Sequence, residues 1–382
     1  MPLSSYKAED LFEWVNHADS RFVLLDVRNN EEFGRFKVEG PYPPQMINVP
    51  YVEFVEKEEE SAERVPAGKP VRIVCAKEGS AKFVGEILVN QGWKDVAYLQ
   101  GGIKTWGNML APRPVAEKDG YRLFQFIRPG KASCSYGLLV NDEMAVFDPS
   151  RNVNFYEQFA KDHRCRVVKT FETHLQADYI SGSQELSKRT GAAILGHEDD
   201  FQHSVFSYSR VKDQDVFRLS SGGPEIRAVH MPGHTPGSTS YLIDHTYLIS
   251  GDAIFILSIG RPDLGGKAVE WAKLLFNTIK TQISSLNDSI VVLPGHYMDW
   301  TEMNAEGLFA DSLGNVRKRN ADIYGIGDEK DFIKFIQDNI RPQPEVYAKI
   351  RQVNAGLTLA DEEEQEVMDL GKNECAASMH RT

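Results

Sequence analysis

Three residues with metal-binding side chains stand where short apolar runs or glycine-rich turns end, and they constrain this chain more than any other feature. They are His174, His234 and Asp252. The run Val167-Val168-Lys169-Thr170-Phe171-Glu172 reads as a strand and delivers Thr173-His174 to a sheet edge. His234 lies in Met231-Pro232-Gly233-His234-Thr235-Pro236-Gly237-Ser238, a loop punctuated by proline and glycine. Asp252 follows the apolar run Tyr247-Leu248-Ile249-Ser250-Gly251. A carboxylate buried at such a place needs a partner, and a metal is the strongest one available. Two histidines and one carboxylate on one face of an ion leave positions open for substrate and O2, the arrangement of non-haem Fe(II) oxygen chemistry.

At 382 residues the chain is long enough for two domains. Its hydrophobic fraction of 41% and charged fraction of 26% are those of a globular protein. No apolar stretch approaches the ~20 residues that span a bilayer, so no membrane partner is expected. The N-terminal residues have neither the basic start nor the apolar run of a secretory signal, and a cytoplasmic location is expected. Cys75, Cys134, Cys165 and Cys375 are scattered, which makes reduced thiols the default. A net charge of −12 argues against nucleic acid as a partner but leaves room for a local basic pocket for an anion.

Residues 1–110 alternate short apolar runs at 22–27, 71–74 and 96–99 with helical patterns, which predicts an α/β domain with a parallel sheet flanked by helices. Phe83, Val84, Ile87 and Leu88 recur at helical spacing and put a helix directly after Cys75. Residues 111–120 carry Pro112, Pro114 and several charges with little apolar content, and read as a linker. From 121 to 382 the pattern changes to strands and helices, with a hairpin predicted around Asn141-Asp142 and a helical extension at the C-terminal side.

The loop Cys75-Ala76-Lys77-Glu78-Gly79-Ser80 falls between strand and helix, so its N–H groups can turn toward the cysteine sulfur. The helix N-terminus and Lys77 favour negative charge there, suiting a thiolate or an anionic persulfide. Gly79 would permit a tight turn. The alternative is a buried structural cysteine. This region resembles a rhodanese domain, from Leu25-Asp26-Val27-Arg28 to Tyr98-Leu99-Gln100-Gly101-Gly102-Ile103-Lys104-Thr105-Trp106. The resemblance implies that the six-residue loop is an active loop and that Cys75 carries sulfane sulfur.

Thr173-His174-Leu175-Gln176-Ala177-Asp178-Tyr179, Pro232-Gly233-His234-Thr235, Ser250-Gly251-Asp252 and Pro294-Gly295-His296 follow in the order of the metallo-β-lactamase superfamily. The usual box reads T-H-x-H-x-D-H, and two of its histidines are here Gln176 and Tyr179. Glutamine is a weak neutral ligand and tyrosine binds well only when ionised, so a second metal is expected to bind poorly. Gln176, Asp178, Tyr179 and His296 are then groups that orient water, substrate or the ligands themselves. The resemblance implies an αββα sandwich and, more closely, proteins that fuse a rhodanese domain to a persulfide dioxygenase-like domain holding one Fe(II) through His174, His234 and Asp252. Ile259-Gly260-Arg261-Pro262-Asp263-Leu264 matches a further motif of that branch. Arg261 either grips a substrate carboxylate or pairs with Asp263.

The expected activity is oxidation of a low-molecular-weight persulfide to sulfite and thiol, coupled to sulfur transfer through Cys75 with thiosulfate or sulfite as partners. Two alternatives remain: a mononuclear zinc thioesterase of the glyoxalase II kind, and a second domain retired to scaffolding or sensing. The thiol itself stays open, and homo-oligomerisation is compatible with such a fusion.

Overall fold

The computed structural model describes residues 2–19, 21–369 and 371–377. It divides into two compact units. One comprises Met1–Ala111 with the short segments Arg128–Lys131 and Leu370–Lys372, and the other comprises the rest.

In the first unit β1 (Ser4–Tyr6), β2 (Val23–Asp26), β3 (Gln45–Asn48), β4 (Val71–Val74) and β5 (Val96–Leu99) form one sheet in the order β1-β5-β4-β2-β3. Every pairing in it is parallel. A parallel sheet is covered on both faces, which is why β2 is buried at each position and reads as an unbroken apolar run before Asp26. Asp26 ends that strand and is buried with Arg28, whose Nη2 lies 2.6 Å from its Oδ2 and also donates to the carbonyl of Phe36 at 2.5 Å. The helix Glu78–Asn90 follows β4 as the periodicity requires and buries Ala81, Val84, Ile87 and Leu88. Phe83, expected on that face, is instead 42% exposed. One residue turns a helix by about 100°, so the neighbour of Val84 leaves the buried stripe.

The second unit holds two sheets. β6 (Ala111–Lys118), β7 (Tyr121–Arg128), β8 (Ser133–Val140), β9 (Glu143–Phe147), β10 (Arg166–Phe171), β11 (Ala193–His197) and β12 (Ser209–Val211) lie in the order β12-β11-β10-β9-β8-β7-β6. Residues 111–118 are therefore an edge strand and not the linker expected for 111–120. Pro112 and Pro114, two apart, lack their N–H on the same side of the strand, and a sheet edge tolerates this. The predicted hairpin is β8–β9, with Asn141 taking the left-handed turn position at φ 52°.

The second sheet contains β13 (Val216–Phe217), β14 (Ile226–His230), β15 (Thr239–Ile243), β16 (Tyr247–Gly251), β17 (Val291–Pro294) and β18 (Asp311–Ser312) in sequential order. Aromatic rings join the sheets face to face. Phe147 of β9 stacks on Phe171 of β10 at 4.8 Å, and Tyr241 of β15 meets Phe171 edge-on at 5.0 Å. Outside the first sheet the helix Val153–Asp162 places Phe155, Tyr156 and Phe159 on Phe126. Outside the second, the helices Ala268–Thr278, Leu313–Arg319 and Glu329–Asp338 share one apolar cluster with Val229, Leu248 and Val292. This is the αββα sandwich expected. The later helices Val346–Asn354 and Glu362–Met368 pack through Tyr347, Ile350 and Met368 on Ala177, Ile180 and Phe255 of the same unit. Among the described residues no helix is long and apolar enough to cross a membrane.

Phe171 touches both sheets and is fully buried. Phe171→Ala should therefore lower stability by about 3–5 kcal/mol, read as a shift of the denaturant midpoint of the full chain. A change within error would show that the inter-sheet aromatic cluster does not hold the sandwich.

Candidate metal centre

Every residue of the predicted triad sits where the chain leaves a strand of the inner sheets. His174 follows β10, His234 lies in the turn between β14 and β15, and Asp252 follows β16. The structure brings the three together although they are remote in sequence. Asp252 Oδ2 is 3.8 Å from His174 Nε2 and 3.5 Å from His234 Nε2. All three side chains are at most 1% exposed, and the two imidazoles meet edge to face at 4.9 Å.

Each ligand atom is aimed by a bond on its far side. Asp148, at the end of β9, accepts from the N–H of Thr173 at 2.8 Å and from its hydroxyl at 2.9 Å. With its proton so committed, Thr173 Oγ1 accepts from His174 Nδ1 at 3.0 Å, leaving His174 Nε2 as the lone-pair nitrogen. His234 Nδ1 is 2.9 Å from the carbonyl of Arg261 and donates to it, which frees His234 Nε2 in the same way. Gly251 turns the chain at φ 53°, and a Cβ there would lie 2.3 Å from Thr173 Oγ1. Thr173 and Asp148 are the positioning residues that sequence reading passed over; the signal for Asp148 was an acidic residue closing an apolar strand.

The electrostatics fit a cation. His174 Nε2 and Asp252 Oδ2 are buried with no hydrogen-bond partner among the described residues. Burial pushes the His174 imidazole from its ordinary 6.5 down to about 4, so it is a neutral donor at physiological pH. Burial alone would raise the Asp252 carboxyl, but the charges of His296 and His174 outweigh it and hold the group well below the carboxylate range. Two unprotonated imidazole nitrogens and one carboxylate oxygen, all within 4.8 Å of one another, form a donor set that suits a divalent metal.

The remaining box residues surround this face. His296 places Nδ1 2.7 Å from Asp252 Oδ1 and Nε2 2.9 Å from Asp178 Oδ2. Burial opposes its charge, yet the two carboxylates push it up to about 10. Gln176 turns its amide toward His174 Nδ1 at 3.5 Å, on the side away from Asp252. Tyr179 lies edge-on to His296, but its hydroxyl donates to the carbonyl of Asp148 at 3.3 Å, and burial pushes its ionisation well above the usual range.

Residues 7–109 match the family model of the rhodanese-like domain, and residues 129–296 match that of the metallo-beta-lactamase superfamily. The chain joins a rhodanese-like domain to a metallo-beta-lactamase domain. It is 30% identical over 233 residues to a beta-lactamase hydrolase-like protein of Xylella fastidiosa (strain 9a5c), covering 56% of this chain and 52% of that relative. The match thus spans about half the length of that protein. To the mitochondrial persulfide dioxygenase ETHE1 of Homo sapiens it is 28% identical over 199 residues, 49% of this chain and 74% of the relative. A solved metallo-beta-lactamase from Staphylococcus aureus subsp. aureus COL superposes with a TM-score of 0.54 at 27% identity, covering 63% of this chain and 74% of that one.

In the metallo-beta-lactamase domain Arg261 is spoken for. Its Nε and Nη2 bind both oxygens of Asp263 at 2.7 and 2.6 Å, Nη1 reaches the carbonyl of Glu374 at 3.3 Å, and Nη2 also meets that of Arg341. Of the two readings of this residue, the structure shows the ion pair with Asp263. The guanidinium ties down the C-terminal segment.

In the rhodanese-like domain Cys75 follows β4 and is buried beside Leu25, Ile73 and Val84. Only Ala76 and Lys77 separate it from the helix, because Glu78, Gly79 and Ser80 already form its first turn. Gly79 is therefore helical and not the tight-turn residue expected. That role falls to Gly102 at φ 73°, where a Cβ would come within 2.5 Å of the carbonyl of Ala76. Glu78 turns its carboxylate to the N–H of Gly101 at 2.5 Å.

Two outcomes follow from the ligand geometry. Thr173→Val removes the hydroxyl behind His174 and should weaken metal binding by about 10- to 100-fold, measured by competition with a chromogenic chelator; equal affinity would show that the hydroxyl does not orient the ring. In the metal-free protein His174 should take stability away as pH falls from 6.5 toward about 4, since the unfolded chain takes a proton that the folded imidazole refuses. Buried Asp148, Glu172 and Glu302, raised to about 7, 8 and 7, act in the opposite sense over the same range, as does His296 at its upper end. On going from about pH 7 to about pH 5 the denaturant midpoint of His174→Asn should therefore move further toward higher stability than that of the parent, and equal shifts would count against the buried neutral imidazole.

Proposed function

We propose that this chain is a sulfur-handling enzyme. Its metallo-beta-lactamase domain oxidises a low-molecular-weight persulfide to sulfite and free thiol, and its rhodanese-like domain moves sulfane sulfur through Cys75. The observation that carries the reading is the face of two imidazole nitrogens and one carboxylate oxygen, with Gln176 and Tyr179 turned away from it. Such a face suits one Fe(II) with positions left open. His174, His234 and Asp252 would hold that ion, which supplies the redox chemistry toward O2 that side chains lack. The similarity to a protein named persulfide dioxygenase supports the same class of substrate.

The chain's own groups prepare this site. Thr173 and the Arg261 carbonyl keep each Nε2 unprotonated and directed, and near-complete burial keeps bulk water from the ligands. His296 carries its proton between Asp178 and Asp252 and offsets part of the charge that two buried carboxylates bring. At the other site the Cys75 thiolate attacks the outer sulfur of a persulfide donor. The new S–S bond forms as the donor's S–S bond breaks, and the donor leaves as a thiolate. The persulfide so formed is anionic, and it stands just before the N-terminus of the helix Glu78–Asn90, whose dipole favours negative charge.

The test is elemental analysis of anaerobically purified protein together with oxygen uptake on adding glutathione persulfide. We expect about one iron per chain and persulfide-dependent uptake that His174→Ala abolishes. Cys75→Ser should leave uptake intact while removing transfer of sulfane sulfur to a thiol acceptor. Zinc in place of iron, with thioester cleavage and no uptake, would replace this reading with a hydrolase. Absent metal and absent uptake would make the second domain a scaffold.

A further inference from the structure

The geometry points to a peripheral cation site in the metallo-beta-lactamase domain, built from His197, Asp199 and His230, for a divalent ion of the zinc class. It shares no residue with the triad and does not depend on which metal or which reaction the triad serves. One ligand atom from each of the three residues lies within 4.8 Å of the others. The two histidines are half-buried and Asp199 is exposed, so the site is open to ions from solvent. His197 ends β11 of one sheet and His230 ends β14 of the other, and Asp199 comes from the helix Glu198–Phe201 directly after β11. An ion there fastens one sheet to the other.

Both imidazoles keep the same nitrogen for a ligand. His230 Nε2 lies 2.8 Å from the carbonyl of Pro236, which can only accept, so Nε2 holds the proton and Nδ1 the lone pair. This is the outer support that histidine ligands ordinarily have. His197 Nδ1 accepts from the N–H of Asp199 at a long 3.3 Å and is thus the lone-pair nitrogen of its ring, with Asp199 Oδ2 3.7 Å away. The two rings stack with centroids 4.1 Å apart and planes within 6° of parallel. An ion is gripped when they tilt about their Cβ–Cγ bonds, a motion that half-buried side chains allow. Arg210 is taken by Glu198 at 2.8 Å, and among the described residues Asp199 pairs with no lysine or arginine.

Two imidazoles and one carboxylate suit Zn2+, with water in the fourth tetrahedral position. The residue after Asp199 gives the site its consequence. Asp200 Oδ2 accepts from the N–H of Leu175 at 2.9 Å and from the hydroxyl of Thr235 at 2.7 Å, and its Oδ1 accepts from the N–H of Gly237 at 2.8 Å. One carboxylate therefore ties the loop that bears His174 to the loop that bears His234. A Cβ on Gly237 would lie 2.6 Å from Asp200 Cγ, so the clamp closes only over glycine. An ion on Asp199 fixes the helix that carries Asp200, and on His230 it fixes the strand that leads into the His234 loop. Occupancy thus braces both loops from outside, without adding a ligand to the triad.

Zinc counts the sites. The full-length chain, stripped with a chelator and kept reduced, is titrated with Zn2+ against a chromogenic competitor, both as the parent and as His174→Ala. We expect His230→Gln, whose amide can still donate to the Pro236 carbonyl, to remove about one equivalent from each. Asp199→Asn, a change on an exposed side chain, should weaken that same equivalent at least ~10-fold. With chelator present, Asp199→Asn should unfold at the parent's denaturant midpoint, so that its weaker binding is not a loss of fold. Saturating Zn2+ should raise the midpoint of His174→Ala further than that of the double variant His174→Ala/His230→Gln, because the ion joins the two sheets. A zinc titration that either His230→Gln or Asp199→Asn leaves unchanged overturns the proposal. If His230→Gln removes an equivalent and His174→Ala removes none, the peripheral site stands and the triad fails.

Discussion

A single carboxylate taken out of water organises this domain. Asp252 is buried, and an ionised carboxylate there is tolerable only with strong partners. Three imidazoles from three different loops surround it, and each is held from behind by something the strands deliver: Thr173 behind His174, the Arg261 carbonyl behind His234, Asp178 beyond His296. Because the supports sit on both sheets, the charge cannot be satisfied unless the sandwich is closed. The aromatic contacts of Phe147, Phe171 and Tyr241 that join the sheets are thus also what sets the spacing of the ligands.

The residues that could be read from sequence were those with a local reason to be unusual. His234 lies among prolines and glycines and Asp252 closes an apolar strand, so packing alone does not account for them, and the structure gathers both with His174. The parallel sheet of the first unit and the hairpin at Asn141 were legible because period and turn chemistry are local properties. Residues 111–118 were not, since prolines two apart look the same in a loop and on a sheet edge, and only the neighbouring strand decides. Gly79 misled for a related reason: a glycine near a strand-to-helix junction can serve either side of it, and here it belongs to the helix.

The anchoring of residues 375–377 was illegible for a different reason. That segment has no periodicity, and its place is set by pairing with residues 259–261 and by the hydrogen bonds of Arg261 and Arg341. Arg261 shows the same dependence. From sequence it fitted a substrate clamp or an ion pair equally well; its surroundings choose the pair with Asp263, and its backbone serves both the His234 ring and the Cys375 carbonyl. What is legible in one dimension is the residue that strains its own neighbourhood, whereas a residue placed by distant partners is not.

The pairing of residues 375–377 with 259–261 also bears on how the protein is made. Strands β6 to β18 can assemble as they leave the ribosome, and the first triad is complete in sequence once Asp252 has emerged. The segment that anchors the Arg261 region, and through it the back of the His234 ring, is synthesised more than a hundred residues later. During that interval the carbonyl behind the His234 ring lacks its anchor, so the triad reaches its final rigidity only when residues 375–377 pair with 259–261.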